Sequence, residues 1–593
     1  MPILKSNALL AAPMVLICWS IIALAADSSI SKTKAQFRRP IAAVLLEADG
    51  ILAVANRRSG TISLVNLKDG AIANEVSVGK RLSDLTALPK SARFLASDEK
   101  SHELLLLKYD QKNISVESRL RVNPYPIRII SNSQGSRCFV TSLWSRRLSV
   151  VEIAATDDSN VRPTMKTVRE IALPFAPREL LLLDGDAKLV VADAFGGQLA
   201  IINVETYEIE SVRNLPTHNI RGLAVGDDGS RLLVSQQILN SLAHSSKEDV
   251  HWGLLMTNCV RSIPMKNVLD PKAKLLKNSQ LALLGNAGNG AGDPAGFVLD
   301  NDERLIVALA GTNEVAIGRI GELYADRVDV GRRPTDIILN ANRDRAYVLN
   351  TFSDSVSVLD LSSRTVTKQI SLGPMPTPTA IDRGEMLFSS ARLAHDNWMS
   401  CHSCHTNGHT NGLLADTQGD GSFGAPKRVL SLLGTSETKP WAWNGSMPHL
   451  AAQIHKSVQT TMRGQPIPDE DVSDLIAYIE TLAPPPTDSV LDGSVAKSAV
   501  NRGNQVFANQ GCAKCHAAPR YTSKATYDVG LSDELGNRKF NPPSLRGVRH
   551  RSAYFHDLRA KSLKDVFTRH RHQVVLPLSD DQLSDLVTFL RSL

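Results

Sequence analysis

Residues 345–373 read RAYVLNTFSDSVSVLDLSSRTVTKQISLG. Apolar residues alternate through Ala346–Leu349 and again through Val356–Leu359, with a Ser/Asp-rich turn between them and a third alternating run behind. That is strand, turn, strand. Earlier copies of the pattern start at Gly50 (GILAVANRRSGTISLVNL), Arg93, Arg137, Lys188 (KLVVADAFGGQLAIINV), Arg231 and Arg304. Successive starts, ending at Arg345, are separated by 43, 44, 51, 43, 73 and 41 residues. A short apolar run and a turn such as DDG or NRD precede most copies. Units of just over forty residues with four strands each predict propeller blades, and seven copies predict a seven-bladed ring over residues 38–373. The long gap predicts an insertion within or after the fifth blade, at about residues 240–295, including the flexible GNAGNGAGDPAG. No catalytic constellation stands out here. Isolated histidines such as His251 read as structural or solvated, and the ring reads as a docking or shielding platform.

The 593-residue chain needs several domains. Its net charge of +7 is mild, and no dense Lys/Arg tract with interleaved aromatics occurs, which excludes nucleic acid as the expected partner. Lys5 precedes an apolar run from Ala8 to Ala25 that ends in small residues. This predicts a cleaved signal peptide over 1–26 and export to the periplasm; an uncleaved membrane anchor is the rival reading.

After a linker around Gly373–Asp382 the strand alternation stops. Residues 398–412, WMSCHSCHTNGHTNG, contain Cys401-His402-Ser403-Cys404-His405, and the pattern returns as Cys512-Ala513-Lys514-Cys515-His516. C-x-x-C-H is the spacing of covalent c-type haem attachment. Two thiols one helical turn apart reach the two vinyl groups of one haem, and the adjacent imidazole reaches its iron. A zinc ribbon would keep its cysteine pairs close in sequence, and a thioredoxin-like exchanger would need a βαβ setting; neither condition is met. The context is duplicated too. RGEMLF (383–388) and RGNQVF (502–507) precede the two sites. Amphipathic helices close them: Val472, Leu475, Ile476 and Ile479 share one face, and Leu583, Leu586, Val587 and Leu590 repeat the spacing. Ser579 and Gln582 form a capping box for the second closing helix. The expected architecture is an all-β seven-bladed propeller followed by two mainly α cytochrome c modules, 374–486 and 493–593, each holding one covalent haem c.

The last blade copy resembles the YVTN propeller repeats. The region from Asp382 to the end resembles the bacterial di-haem cytochrome c peroxidase/MauG family, through RGEMLF, both haem sites, PWAWNGSMPHL (440–450) and PSLRGVRHRSAYFHDLRAKSLKDVF (543–567). The resemblance implies that the second haem passes electrons from a small donor protein, of cytochrome c or cupredoxin type, to a peroxide-reactive first haem. Non-catalytic electron transfer, or MauG-like oxidation of a partner protein, are the alternatives. It places Trp443 as an inter-haem relay and His570 as a distal ligand of the second haem. It also marks departures. Thr461 stands where the family has a glutamate that handles a proton. His409, His449 and His455 are the nearest candidates for a distal histidine of the first haem, and none is at the matched position. The family's calcium positions fall on Gly424, Arg551 and Ala553, which leaves calcium open.

Overall fold

A computed structural model describes residues 35–593 apart from 155–162, 227, 323–324, 420 and 488–493. The expected signal peptide, 1–26, lies outside the described residues. Seven four-stranded antiparallel sheets follow one another in the chain, each with its strands in sequence order. The first blade is Pro40–Leu46, Ile51–Asn56, Thr61–Asn66 and Ile72–Ser77; the seventh is Pro334–Leu339, Arg345–Asn350, Ser355–Asp360 and Thr365–Ser371. The quoted copies are the second and third strands of each blade. Every residue of Ile51–Asn56 is buried, because neighbouring blades cover both faces, whereas Ile72–Ser77 lies at the rim and is partly exposed.

The apolar core is distributed between blades. Ile62 and Leu64 of the first blade meet Phe94 and Leu105 of the second, and Val54 of the first meets Val356 and Val358 of the seventh. Among the described residues no strand is exchanged to close the ring. Instead the backbone N–H groups of Arg38 and Arg39 donate to the two carboxylate oxygens of Asp354, each at 2.7 Å. The buried Arg38 guanidinium also grips Glu75 at 2.8 Å.

The fifth blade corrects the expectation of one insertion over 240–295. Its third and fourth strands, Met256–Pro264 and Gln280–Leu283, lie inside that span. The extra chain is split into 240–255, 265–279 and 284–293, with helices Lys247–His251 and Met265–Leu269 in the first two pieces. All three pieces precede the next blade, whose first strand is Pro294–Leu299.

Helices dominate after Ser371. Ala380–Phe388 packs against Asp469–Glu480, and Ser494–Asn509 against Asp580–Arg591, so both predicted helix pairs form. The Arg-Gly pair explains why. Arg383 forks onto Asp474 at 2.6 and 2.7 Å, and Arg502 onto Asp585 at 2.7 Å twice. A Cβ on Gly384 or Gly503 would collide with the carbonyl of that same aspartate, so only glycine permits the close approach. The Ser579/Gln582 capping box is present. No described helix is long and apolar enough to cross a membrane.

Candidate functional site

Ser400 caps a one-turn helix, Cys401–Cys404, through a reciprocal box with Ser403. His405 follows as its C-cap, its N–H donating to the Cys401 carbonyl at 2.9 Å. Burial pushes both thiols up to about 12 and the His405 imidazole down to about 4, so the thiols hold their protons and the imidazole is neutral. The three side chains line a cavity of about 860 Å³. Phe388, Leu450, Ile454, Val458, Leu475 and Ile479 make its wall apolar, while Lys427, Lys456, Arg538 and Lys539 bring positive charge to it. An apolar chamber of that size with a cationic margin fits a porphyrin carrying two carboxylates.

The second site repeats the chemistry in a more open setting. Cys512–Lys514 forms a single 3-10 turn, and burial pushes the Cys512 thiol up to about 11. His516 Nδ1 donates to the Tyr521 carbonyl at 3.1 Å, which fixes the tautomer and leaves Nε2 as the acceptor. Burial pulls this imidazole down to about 4. Phe507, Val548, Leu563 and Phe589 pack beside Cys512. The helix expected to carry His570 ends at Thr568, and His570 lies beyond it with Nε2 3.8 Å from the Asp565 carboxylate. Arg571 and Gln573 adopt positive φ on either side of His572, and His570 Nε2 is buried without a hydrogen-bond partner. His572 Nδ1 is buried without a partner.

Trp443 lines the first cavity and its indole N–H donates to the Arg428 carbonyl at 2.8 Å. Arg428 stacks over the ring at 5.3 Å, and Phe540 and His556, themselves stacked at 4.3 Å, meet its edge.

Residues 378–483 match the family model described as di-haem cytochrome c peroxidase, and residues 500–593 match that of cytochrome c. The C-terminal region is of the di-haem cytochrome c peroxidase/MauG type. The methylamine utilization protein MauG of Methylorubrum extorquens is 26% identical over 285 residues, covering 37% of this chain and 78% of that protein. Among solved structures, a chain of Kuenenia stuttgartiensis hydrazine synthase is similar to 56% of this chain over 98% of its own length, at 17% identity and a TM-score of 0.46. Virginiamycin B lyase from Staphylococcus aureus is similar to 54% of this chain over 93% of its own length, at 14% identity and a TM-score of 0.39. The protein is thus a seven-bladed propeller joined to a di-haem c-type oxidoreductase region.

In this peroxidase/MauG-type region, the family's usual polar residues are rearranged. Thr461 lies on the cavity wall, and its hydroxyl accepts a hydrogen bond from Lys456 Nζ at 3.2 Å. His409, His449 and His455 do not line the cavity; Met399, Met447 and Met462 do. Arg551 is half-buried and lies close enough to the buried Arg428 for their charges to interact. Burial and each other's charge pull Arg428 down to about 9, and burial pulls Arg551 to about 10, so both remain cationic at neutral pH.

The feature that no motif announces is a clasp between the propeller and the first haem loop. His402 and Ser403, the two variable residues of the C-x-x-C-H, are buried against the fifth and sixth blades. His218 Nε2 donates to the Ser403 carbonyl at 3.0 Å and Gln237 to the Ser403 hydroxyl at 3.3 Å. Ser403 donates to Asp293 Oδ1 at 2.7 Å, and Ser400 donates to Asp293 Oδ2. Arg221 donates to His402 Nε2 at 3.2 Å. Burial works against the Asp293 charge, but His402, Ser400 and Ser403 outweigh it and hold the carboxyl at about 2. The ring therefore grips the loop that presents His405.

Proposed function

We propose that the chain is an exported di-haem c-type oxidoreductase that takes electrons from a small donor protein at its second module and uses them on peroxide at its first. One observation carries this reading: among the described residues lining the first cavity, His405 is the sole imidazole. A single imidazole in that cavity would leave a bound haem able to take a ligand from solution. When bound, haem supplies the one-electron and peroxide chemistry. The chain's residues supply the rest. Cys401 and Cys404, and Cys512 and Cys515, would anchor the two groups covalently, and His405 and His516 would supply an imidazole ligand to each. His572, or His570 beside it, offers the second base at the second site. Trp443 stands beside the first cavity with its ring against Phe540 of the second module, which suits a relay. Lys456 and Lys539 line the cavity where they would meet carboxylates, whereas Lys427 and Arg538 pair with Asp533 and Asp528. The Thr461 hydroxyl does not exchange a proton at neutral pH as a glutamate does, so the proton-bearing group at that spot is the Lys456 ammonium. Arg428 and Arg551 provide positive charge at the module junction, in a role calcium would otherwise fill.

A second reading has its own support. Three methionines on the wall favour a His/Met centre closed to ligands, and hence an electron carrier. Cyanide or carbon monoxide binding separates the two: uptake by one of two haems supports the peroxide reading, and uptake by neither supports the carrier. Peroxide-dependent oxidation of a reduced small cytochrome or cupredoxin then tests the activity. If peroxide is not consumed yet the first haem binds ligands, oxidation of a partner protein's side chain is the reaction to assay.

A further inference from the structure

We infer that His251, His395 and Asp396 form a divalent metal site of the zinc class that joins the propeller to the first haem module. His251 ends the short helix in segment 240–255 of the fifth blade, whereas His395 and Asp396 lie in the turn that leads to Cys401. The donors come from segments far apart in the chain, so no spacing motif marks them.

Their geometry converges on one point. Asp396 Oδ2 lies 2.7 Å from His251 Nδ1 and 3.3 Å from His395 Nε2. The three donor atoms all lie within 4.8 Å of one another. Zinc bonds of about 2.0–2.1 Å in a tetrahedron place ligand atoms about 3.3 Å apart, the His395–Asp396 separation; the Asp396–His251 pair, hydrogen-bonded at 2.7 Å, would open by about 0.6 Å to admit the ion. Two imidazoles and a carboxylate suit divalent first-row ions. Among the described residues, Asp396 has no arginine or lysine partner; its ion pairs are with the two histidines.

The scaffold holds these donors in place. Asp396 and Asn397 both adopt left-handed φ, 54° and 63°, which sets the direction of the carboxylate. The Asp396 carbonyl accepts from Gly290 N–H at 2.6 Å, His395 N–H donates to Met462 at 2.9 Å, and the Trp398 indole donates to the His251 carbonyl at 3.1 Å. A Cβ on Gly290 would meet the Asp396 carbonyl at 2.6 Å, so this approach needs glycine. The side chains of His251, His395 and Asp396 are 40%, 22% and 20% exposed, leaving access for the ion and room for a water as fourth ligand. With one ligand from the ring and two from the module, the ion would cross-link them next to the haem loop.

The test uses tag-free, full-length holoprotein, freed of loose metal with a chelator. Zinc is titrated by calorimetry and counted by mass spectrometry after dialysis. The expected result is one more tightly held zinc per chain in the parent than in H251A/H395A, with D396N weakening binding at least tenfold, the lower end of what even outer-shell changes cost. Zinc should raise the melting temperature of the parent but not of the double variant. Equal zinc content in parent and variant overturns the inference. If the double variant fails to fold, H251Q, a change at the most exposed ligand, replaces it under the same two criteria.

Discussion

Asp293→Ala isolates what the propeller does for the first haem. The carboxylate is buried, accepts from Ser400 and Ser403, and has His402 Nδ1 at 3.8 Å. Removing one partner from a buried charged network costs about 3–5 kcal/mol, because the hydroxyls lose an acceptor that no water replaces. The sign of the pH dependence follows from the depressed carboxyl. Held at about 2 instead of 3.8, it contributes stability that is present above about 3.8 and lost as pH falls through about 2. At about 1.36 kcal/mol per pH unit, that contribution is ~2.5 kcal/mol, somewhat below the network estimate, which also counts the hydroxyls left without an acceptor. The assay is absorption and magnetic circular dichroism of the holoprotein during thermal and acid titrations. The variant should melt earlier, show a shallower acid limb between about pH 4 and 2, and alter the first-haem bands. The second-haem bands should stay as they are, because the Cys512–His516 loop makes no hydrogen bond to the propeller among the described residues. A variant with unchanged first-haem bands and an unchanged melting temperature would refute the clasp.

Trp443→Phe should leave haem content unchanged and slow electron equilibration between the haems, read by flash reduction; an unchanged rate removes Trp443 as the relay. His572→Ala and His570→Ala distinguish the two candidates for the second imidazole at the second site: the variant that turns the second haem from low to high spin has lost the ligand, and an unchanged spin state in both removes the two histidines from that role. Gly503→Ala forces a Cβ against the Asp585 carbonyl and should destabilise the second module by more than about 3 kcal/mol, within the range for exceptional single mutations, with loss of one haem equivalent by pyridine haemochrome assay. Thr461→Glu places a carboxylate beside Lys456 Nζ and should raise the peroxide reaction rate if proton transfer limits it; no gain at any pH between 5 and 8 would show that the limit lies elsewhere.

The ring was legible because each blade repeats one local pattern, strand, turn, strand, whose apolar alternation is dictated by neighbours on both faces. Where that regularity is interrupted the reading fails. In the fifth blade, MTNCVRSIP and QLAL are ordinary strands, but one short helix before the first and another between the two hide the period, so blade strands and extra loop merge into one apparent insertion. Counting along a helix to His570 runs past the helix end: the helix stops at Thr568, and positive φ at Arg571 and Gln573 bends the chain around His572, so the count alone does not choose between His570 and His572.

The haem loops show which part of a site a motif can carry. Both copies keep the two thiols and the imidazole, because the covalent chemistry fixes those residue types and their spacing. The intervening pairs differ: His402-Ser403 in one copy, Ala513-Lys514 in the other. Ala513 and Lys514 are exposed, whereas His402 and Ser403 are 6% and 0% exposed and bonded to the propeller. Polar residues with hydrogen-bonding capacity on both sides need partners once buried, and those partners, His218, Arg221, Gln237 and Asp293, come from elsewhere in the chain. Asp293 sits in the glycine-rich stretch that composition alone marks as flexible linker. What makes it functional is the loop it meets, so its role becomes visible only when the ring and the haem loop are brought together. The contrast between the two copies is the one trace of this in the sequence: a chain that repeats a motif but changes its variable pair from Ala-Lys to His-Ser has placed one copy against solvent and the other against protein.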